Sequence, residues 1–96
     1  MKPSQALAIH RDIISRIATN HHVRNVRVFG SVLNGTDHED SDLDLLVDPT
    51  KETSLMDIGA IRVELSKIMG VKVDVLTPNA LPDSFREQVL KEAKPL

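Results

Sequence analysis

The sequence predicts an α+β protein, a short mixed β-sheet with helices packed on one face. Three observations lead there. Two apolar runs, residues 26–29 and 43–47, have strand rather than helix length and are separated by a polar loop. A third segment, residues 71–76, alternates, with Val71, Val73 and Val75 on one side and Lys72, Asp74 and Leu76 on the other. Stretches of helical period precede, separate and follow these runs.

Taken in order, Pro3-Ser4 marks a helix entry with Ser4 as N-cap, and the helical pattern runs to about residue 19. Ala6, Ile9, Ile13 and Ile17 form its apolar stripe, widened by Leu7, Ile14 and Ala18. Burial on the sheet is the simpler reading of that face, and contact with a partner the other. Asn20-His21-His22 ends the helix. Adjacent side chains diverge, so the histidine pair is expected in a solvated turn and not at a metal, and His10 and His38 have no companion at ligand spacing. The first strand stops at Gly30. Ser31 to Asn34 then allow one helical turn before Gly35 breaks it, and residues 36–41 form an acidic loop.

In the second strand Leu43, Leu45 and Val47 share one face and Asp42, Asp44 and Leu46 the other. Ser54 with Asp57 three residues on is an acidic variant of the capping box. Ile58, Ile61, Leu65 and Ile68 mark the helix it opens, and Gly70 ends that helix. Strands joined by a helical crossover pair in parallel and with a right-handed connection. Asp74 is therefore expected beside Asp42 and Asp44, on the sheet face that no helix covers. A last helix, residues 83–93, has Leu81, Phe85 and Val89 on one side.

Composition bounds the function. Ninety-six residues make one domain, 1–96, with no length left for a second lobe to hold an acceptor. Twelve basic against 14 acidic residues give a net charge of −2, which excludes the broad basic surface that non-specific nucleic-acid binding requires. With aromatic residues at 2% and neither Trp nor Tyr, there are no platforms for stacking bases. The lack of cysteine removes disulfides and thiolate metal sites. No apolar stretch has the length of a membrane span or of a signal peptide core, so a cytoplasmic location is expected.

The chemistry concentrates in residues 26–47. Gly30, with no Cβ, lets backbone approach a phosphate closely. Ser31 offers a hydroxyl and an N–H where a strand turns into a helix, a setting that favours anions. Asp42 and Asp44 point the same way about 7 Å apart in extended chain, and paired carboxylates suit hard divalent ions bound to phosphates. A bland reading makes Asp42-Leu43-Asp44 the wet side of a strand. That reading explains neither Gly30-Ser31 upstream nor an aspartate, Asp74, in the middle of another strand, where aspartate is disfavoured. A calcium loop built on Asp40, Asp42 and Asp44 fails as well, because Leu45 stands at its glycine position and Lys51 at that of its bidentate glutamate.

Gly30-Ser31, ten intervening residues and then Asp42-Leu43-Asp44 resemble the signature of the DNA polymerase beta-like nucleotidyltransferases. The chain's shortness resembles the minimal nucleotidyltransferases, the MNT antitoxins paired with HEPN ribonuclease toxins. Asn34 departs from the basic residue that many members carry there. The resemblance implies the minimal nucleotidyltransferase fold. It also implies two Mg²⁺ ions on Asp42 and Asp44, a third carboxylate ligand and acceptor-side role for Asp74, and a grip on the ATP phosphates by Gly30 and Ser31. The activity it implies is transfer of AMP from ATP to a hydroxyl, a tyrosine in some members, of a HEPN toxin held as a two-fold dimer. Two alternatives accompany it: an antitoxin that neutralises by binding alone, its nucleotide site vestigial, and transfer to a small molecule such as an aminoglycoside.

Overall fold

Valine and leucine side chains on alternate positions give the chain its strands. In the computed structural model, which describes residues 1–96, these strands form one sheet. The elements are α1 (Pro3–Asn20), β1 (Val23–Phe29), α2 (Ser31–Asn34), β2 (Leu43–Pro49), α3 (Leu55–Met69), β3 (Val73–Leu76), a 3-10 turn (Pro78–Ala80), α4 (Asp83–Glu92) and β4 (Lys94–Pro95). The sheet order is β3-β2-β1-β4. β1 runs antiparallel to β2 and β4, while β2 and β3, joined through α3, are parallel. The sheet is mixed, as the sequence predicts.

The main core lies between one sheet face and helices α1 and α3. Leu43, Leu45 and Val47 of β2 and Val73 and Val75 of β3 meet Ile14 of α1 and Ile61 and Leu65 of α3. Truncating one such leucine to alanine costs about 2–5 kcal/mol, because transfer and cavity terms add. No polar or charged residue is buried. The capping box forms as expected: Ser54 Oγ accepts from the Asp57 N–H at 3.2 Å, and the Asp57 carboxylate accepts from the Ser54 N–H at 2.9 Å. Gly70 ends α3 in the left-handed region, φ 69°. No helix is long and apolar enough to cross a membrane.

Several details differ from the sequence reading. Lys2, not Ser4, caps α1, with Pro3 in the first turn where its missing N–H costs nothing. The Ser4 N–H instead donates to Asp37 Oδ2 at 2.9 Å, tying the helix to the acidic loop. The stripe of α1 does not run straight: His10 leaves helical dihedrals, and Ile9 is 63% exposed, while Ala6, Leu7, Ile14 and Ala18 are buried. β1 begins at Val23, three residues earlier than its apolar run suggests, through a bulge between Arg24 and Arg27 that places Asn25 at φ 56°. Asparagine tolerates that region better than most residues. β4, a two-residue edge strand, has no periodic signal at all.

The second face of the sheet is not bare. Phe29, Leu46 and Leu81 form a small buried cluster there, extended by Leu33, Leu76 and Val89. Leu46 and Leu76 follow Asp44 and Asp74 by two positions on their strands, so this cluster borders the carboxylates. Phe85, expected beside Leu81 and Val89, is 42% exposed instead.

Candidate active site

The parallel register sets Asp44 opposite Asp74, flanked by the pairs Leu43–Val73 and Leu45–Val75. Because those flanking residues enter the main core, alternation turns both aspartates to the opposite face. Asp42, two positions before Asp44, joins them from the entry to β2. All three are half-buried. The three carboxylates expected from the sequence thus share one face, although that face is partly roofed.

The antiparallel register pairs Phe29 with Asp44, bringing the end of β1 beside the same carboxylate. Gly30 follows with φ 76° and ψ −150°, a region open essentially to glycine alone. A Cβ built on Gly30 would overlap Asp44 Oδ2. The backbone then winds into α2: the Asn34 N–H donates to the Gly30 carbonyl at 3.0 Å and the Thr36 N–H to the Ser31 carbonyl at 2.9 Å. Ser31 therefore opens a closed turn that springs from a glycine pressed against Asp44.

These acids lie close enough to act on one another. The Asp44 carboxyl is pushed up to about 6, first by burial, then by the charges of Asp74 and Asp42. A single cation makes an ion pair with the set, Lys72, whose Nζ lies 3.6 Å from Asp42 Oδ2. No three His, Asp or Glu groups are gathered tightly enough to hold a metal as they stand. The donor set itself, all oxygen, on adjacent strands and short of positive charge, suits a hard divalent ion. No cavity forms over it. The molecule's one pocket, about 290 Å³, lies elsewhere, between α1, the β1 bulge and the C-terminal residues.

Two features escape sequence reasoning. Alternation puts Lys72 on the carboxylate side of the third strand with Asp74, and that placement is the only signal of its ion pair with Asp42. The histidine turn is not simply solvated. His21 Nε2 lies 2.6 Å from Glu64 Oε2 and its Nδ1 3.4 Å from Asp57, while His22 Nδ1 is also 3.4 Å from Asp57. The expected divergence of the two side chains does not hold at their Nδ1 atoms, which reach the two oxygens of one carboxylate. They meet a common acid about 36 residues away, which spacing within the turn cannot reveal.

Known proteins share this fold. The family model described as polymerase beta, nucleotidyltransferase matches residues 11–96. A Methanocaldococcus jannaschii protein assigned as a protein adenylyltransferase is 36% identical over 85 residues, 88% of this chain and 90% of its own. The protein adenylyltransferase MntA of Thermococcus cleftensis is 36% identical over 70 residues, 73% of this chain and 71% of its own. A solved structure described as a minimal nucleotidyltransferase is similar at a TM-score of 0.85 and 40% identity, over 97% of this chain and 95% of the other. A toxin–antitoxin crystal structure with AMP-PNP shares the fold at 17% identity and a TM-score of 0.71, over 97% and 71% of the two chains.

Proposed function

The chain belongs to the polymerase beta nucleotidyltransferase family, and on that premise we propose that it is an antitoxin which transfers AMP from ATP to a hydroxyl, a tyrosine side chain, of a HEPN ribonuclease toxin. The observation that carries the chemistry is the meeting of three elements on one sheet face: Asp42 at the entry to β2 with Asp44 on that strand, Asp74 opposite on β3, and the Gly30-Ser31 turn against Asp44. Similarity to MntA of Thermococcus cleftensis supports protein as the acceptor class. A toxin partner is supported by the fold shared with a toxin–antitoxin complex.

Asp42 and Asp44 would hold two Mg²⁺ ions, with Asp74 as a further ligand on the acceptor side. When bound, such ions neutralise the triphosphate and lower the pKa of a coordinated hydroxyl. The residues do the rest. Gly30 lets the backbone close on the phosphates, and Ser31 donates to them from the head of its turn. Asp74 receives the acceptor proton. The acceptor oxygen bonds to the α-phosphorus as the bond to the departing pyrophosphate breaks, leaving AMP on the acceptor. A carboxylate site with no cavity above it suits an acceptor presented by another protein better than an enclosed small molecule.

The test is incubation with Mg²⁺, labelled ATP and the product of the adjacent gene as candidate toxin. The expected result is a toxin heavier by one AMP, and none with Asp44→Asn. A second reading, neutralisation by binding alone, draws on one observation, the absence of any basic residue in the α2 turn. An unlabelled toxin that this protein nonetheless silences would favour that reading.

A further inference from the structure

Lys72 is the one cation that reaches the carboxylates, and its setting explains more than a surface ion pair. Its carbonyl accepts from the Leu43 N–H at 2.9 Å, which fixes this backbone beside the entry to β2. From there alternation carries the side chain to the same face as Asp74, two residues on. The ammonium lies 3.6 Å from Asp42 Oδ2 on a side chain that is 72% exposed. A pair this open is weak and free to part.

The rest of the site is poor in positive charge. Between Arg27 and Lys51 the sequence contains no lysine or arginine, so neither the Gly30–Gly35 turn nor the acidic loop can offer one. Arg27 is committed to Asp48 and to the Asn25 carbonyl. Lys72 is thus the cation of this chain that already stands at the three aspartates, where a triphosphate would lie. Lysine fits that role, because a compact charge on a flexible stem binds phosphate without fixed geometry.

We propose that Lys72 is the phosphate-binding cation of this site, holding Asp42 until a divalent ion takes that carboxylate and then turning to the triphosphate. The inference rests on the metal–ATP reading above and supplies the contact that the α2 turn lacks. It makes Lys72 a competitor for the metal when no nucleotide is present and an ally of the nucleotide when it is.

Calorimetry on the whole chain separates those two roles. Lys72→Ala should bind Mn²⁺ alone about two- to fivefold more tightly than the wild type, because Asp42 is freed. The same variant should bind Mg²⁺ with AMP-PNP about tenfold more weakly, and Lys72→Arg should recover most of that loss. The exposed position keeps folding out of the comparison, which the unfolding midpoint checks. Unchanged AMP-PNP affinity in Lys72→Ala would overturn the inference while leaving the metal–ATP site standing. So would Mn²⁺ and AMP-PNP affinities that fall together, since Lys72 would then be a prop for the carboxylates. Failure of the wild type to bind Mg²⁺ with AMP-PNP would overturn both readings at once.

Discussion

Gly30 and Asp44 are locked together: a single methyl group on Gly30 would collide with Asp44 Oδ2. Gly30→Ala therefore suffers twice, from a backbone conformation reserved for glycine and from displacement of a carboxylate. Positions of this kind cost about 1–3 kcal/mol. Urea denaturation should show that loss, and magnesium-dependent ATP binding should fall with it. Gly35 is the control. It also has positive φ, 72°, but nothing lies within 4 Å of its Cβ position. Gly35→Ala should cost only the left-handed backbone strain, about 1–2 kcal/mol, and leave ATP binding intact.

Asp44 also sets a pH dependence. Its carboxyl titrates at about 6 in the folded chain against 3.8 for an ordinary aspartate. The folded state thus holds this proton more tightly than the unfolded one, so the contribution is present below about pH 4 and lost as pH rises through 6. For a half-exposed group, solvent screening reduces the effect to roughly 1–2 kcal/mol. In chelator, Asp44→Asn should be more stable than the wild type by that amount at about pH 7.5 and equal to it near pH 4. Magnesium should stabilise the wild type at the higher pH and the variant much less. Identical denaturation curves at both pH values would remove Asp44 from the crowded set.

The sequence reveals this much of the site because its logic is local. Alternation places Asp42 with Asp44, a helical crossover forces β3 parallel to β2, and the two together bring Asp74 across. Asp57 shows where local logic ends. Its capping box with Ser54 is visible at a spacing of three, but its contacts with His21 and His22 depend on how α1 packs beside α3. The apolar cluster beside the carboxylates is hidden for the same reason. Leu46 reads as one more residue on the open face until Leu81 arrives from beyond β3 to bury it. Ile9 fails differently, since the departure of His10 from helical dihedrals has no signal in the residues around it.

The cap of α3 offers a stability test remote from the active site. The Asp57 carboxyl lies below its ordinary range, chiefly through the Ser54 backbone N–H, with help from His22 and His21. Its stabilisation is therefore present above the ordinary carboxylate range and lost as pH falls through the folded value. Ser54→Ala should cost about 1 kcal/mol at neutral pH. Asp57→Ala should cost more, because the turn's two histidines lose their shared partner as well. Neither should alter ATP affinity. A change in ATP binding would show that this end of α3 is coupled to the carboxylates.

Asp74 separates an enzyme from a binder. It lies on a different strand from the Asp42–Asp44 pair, so its loss should spare the residues that escort the triphosphate. Asp74→Asn is nearly isosteric, which preserves fold and partner contacts, and removing one of the charges that raise the Asp44 carboxyl should not harm the pair. ATP should still bind within about tenfold, or about 1.4 kcal/mol. Transfer should drop far more, by roughly 10²-fold or beyond, as when the group that activates the attacking oxygen is lost. Cells expressing the toxin with Asp74→Asn should then die although the two proteins still co-elute. If those cells survive while mass spectrometry finds no modified toxin, neutralisation works by occlusion, and the carboxylates on this sheet serve something other than protection.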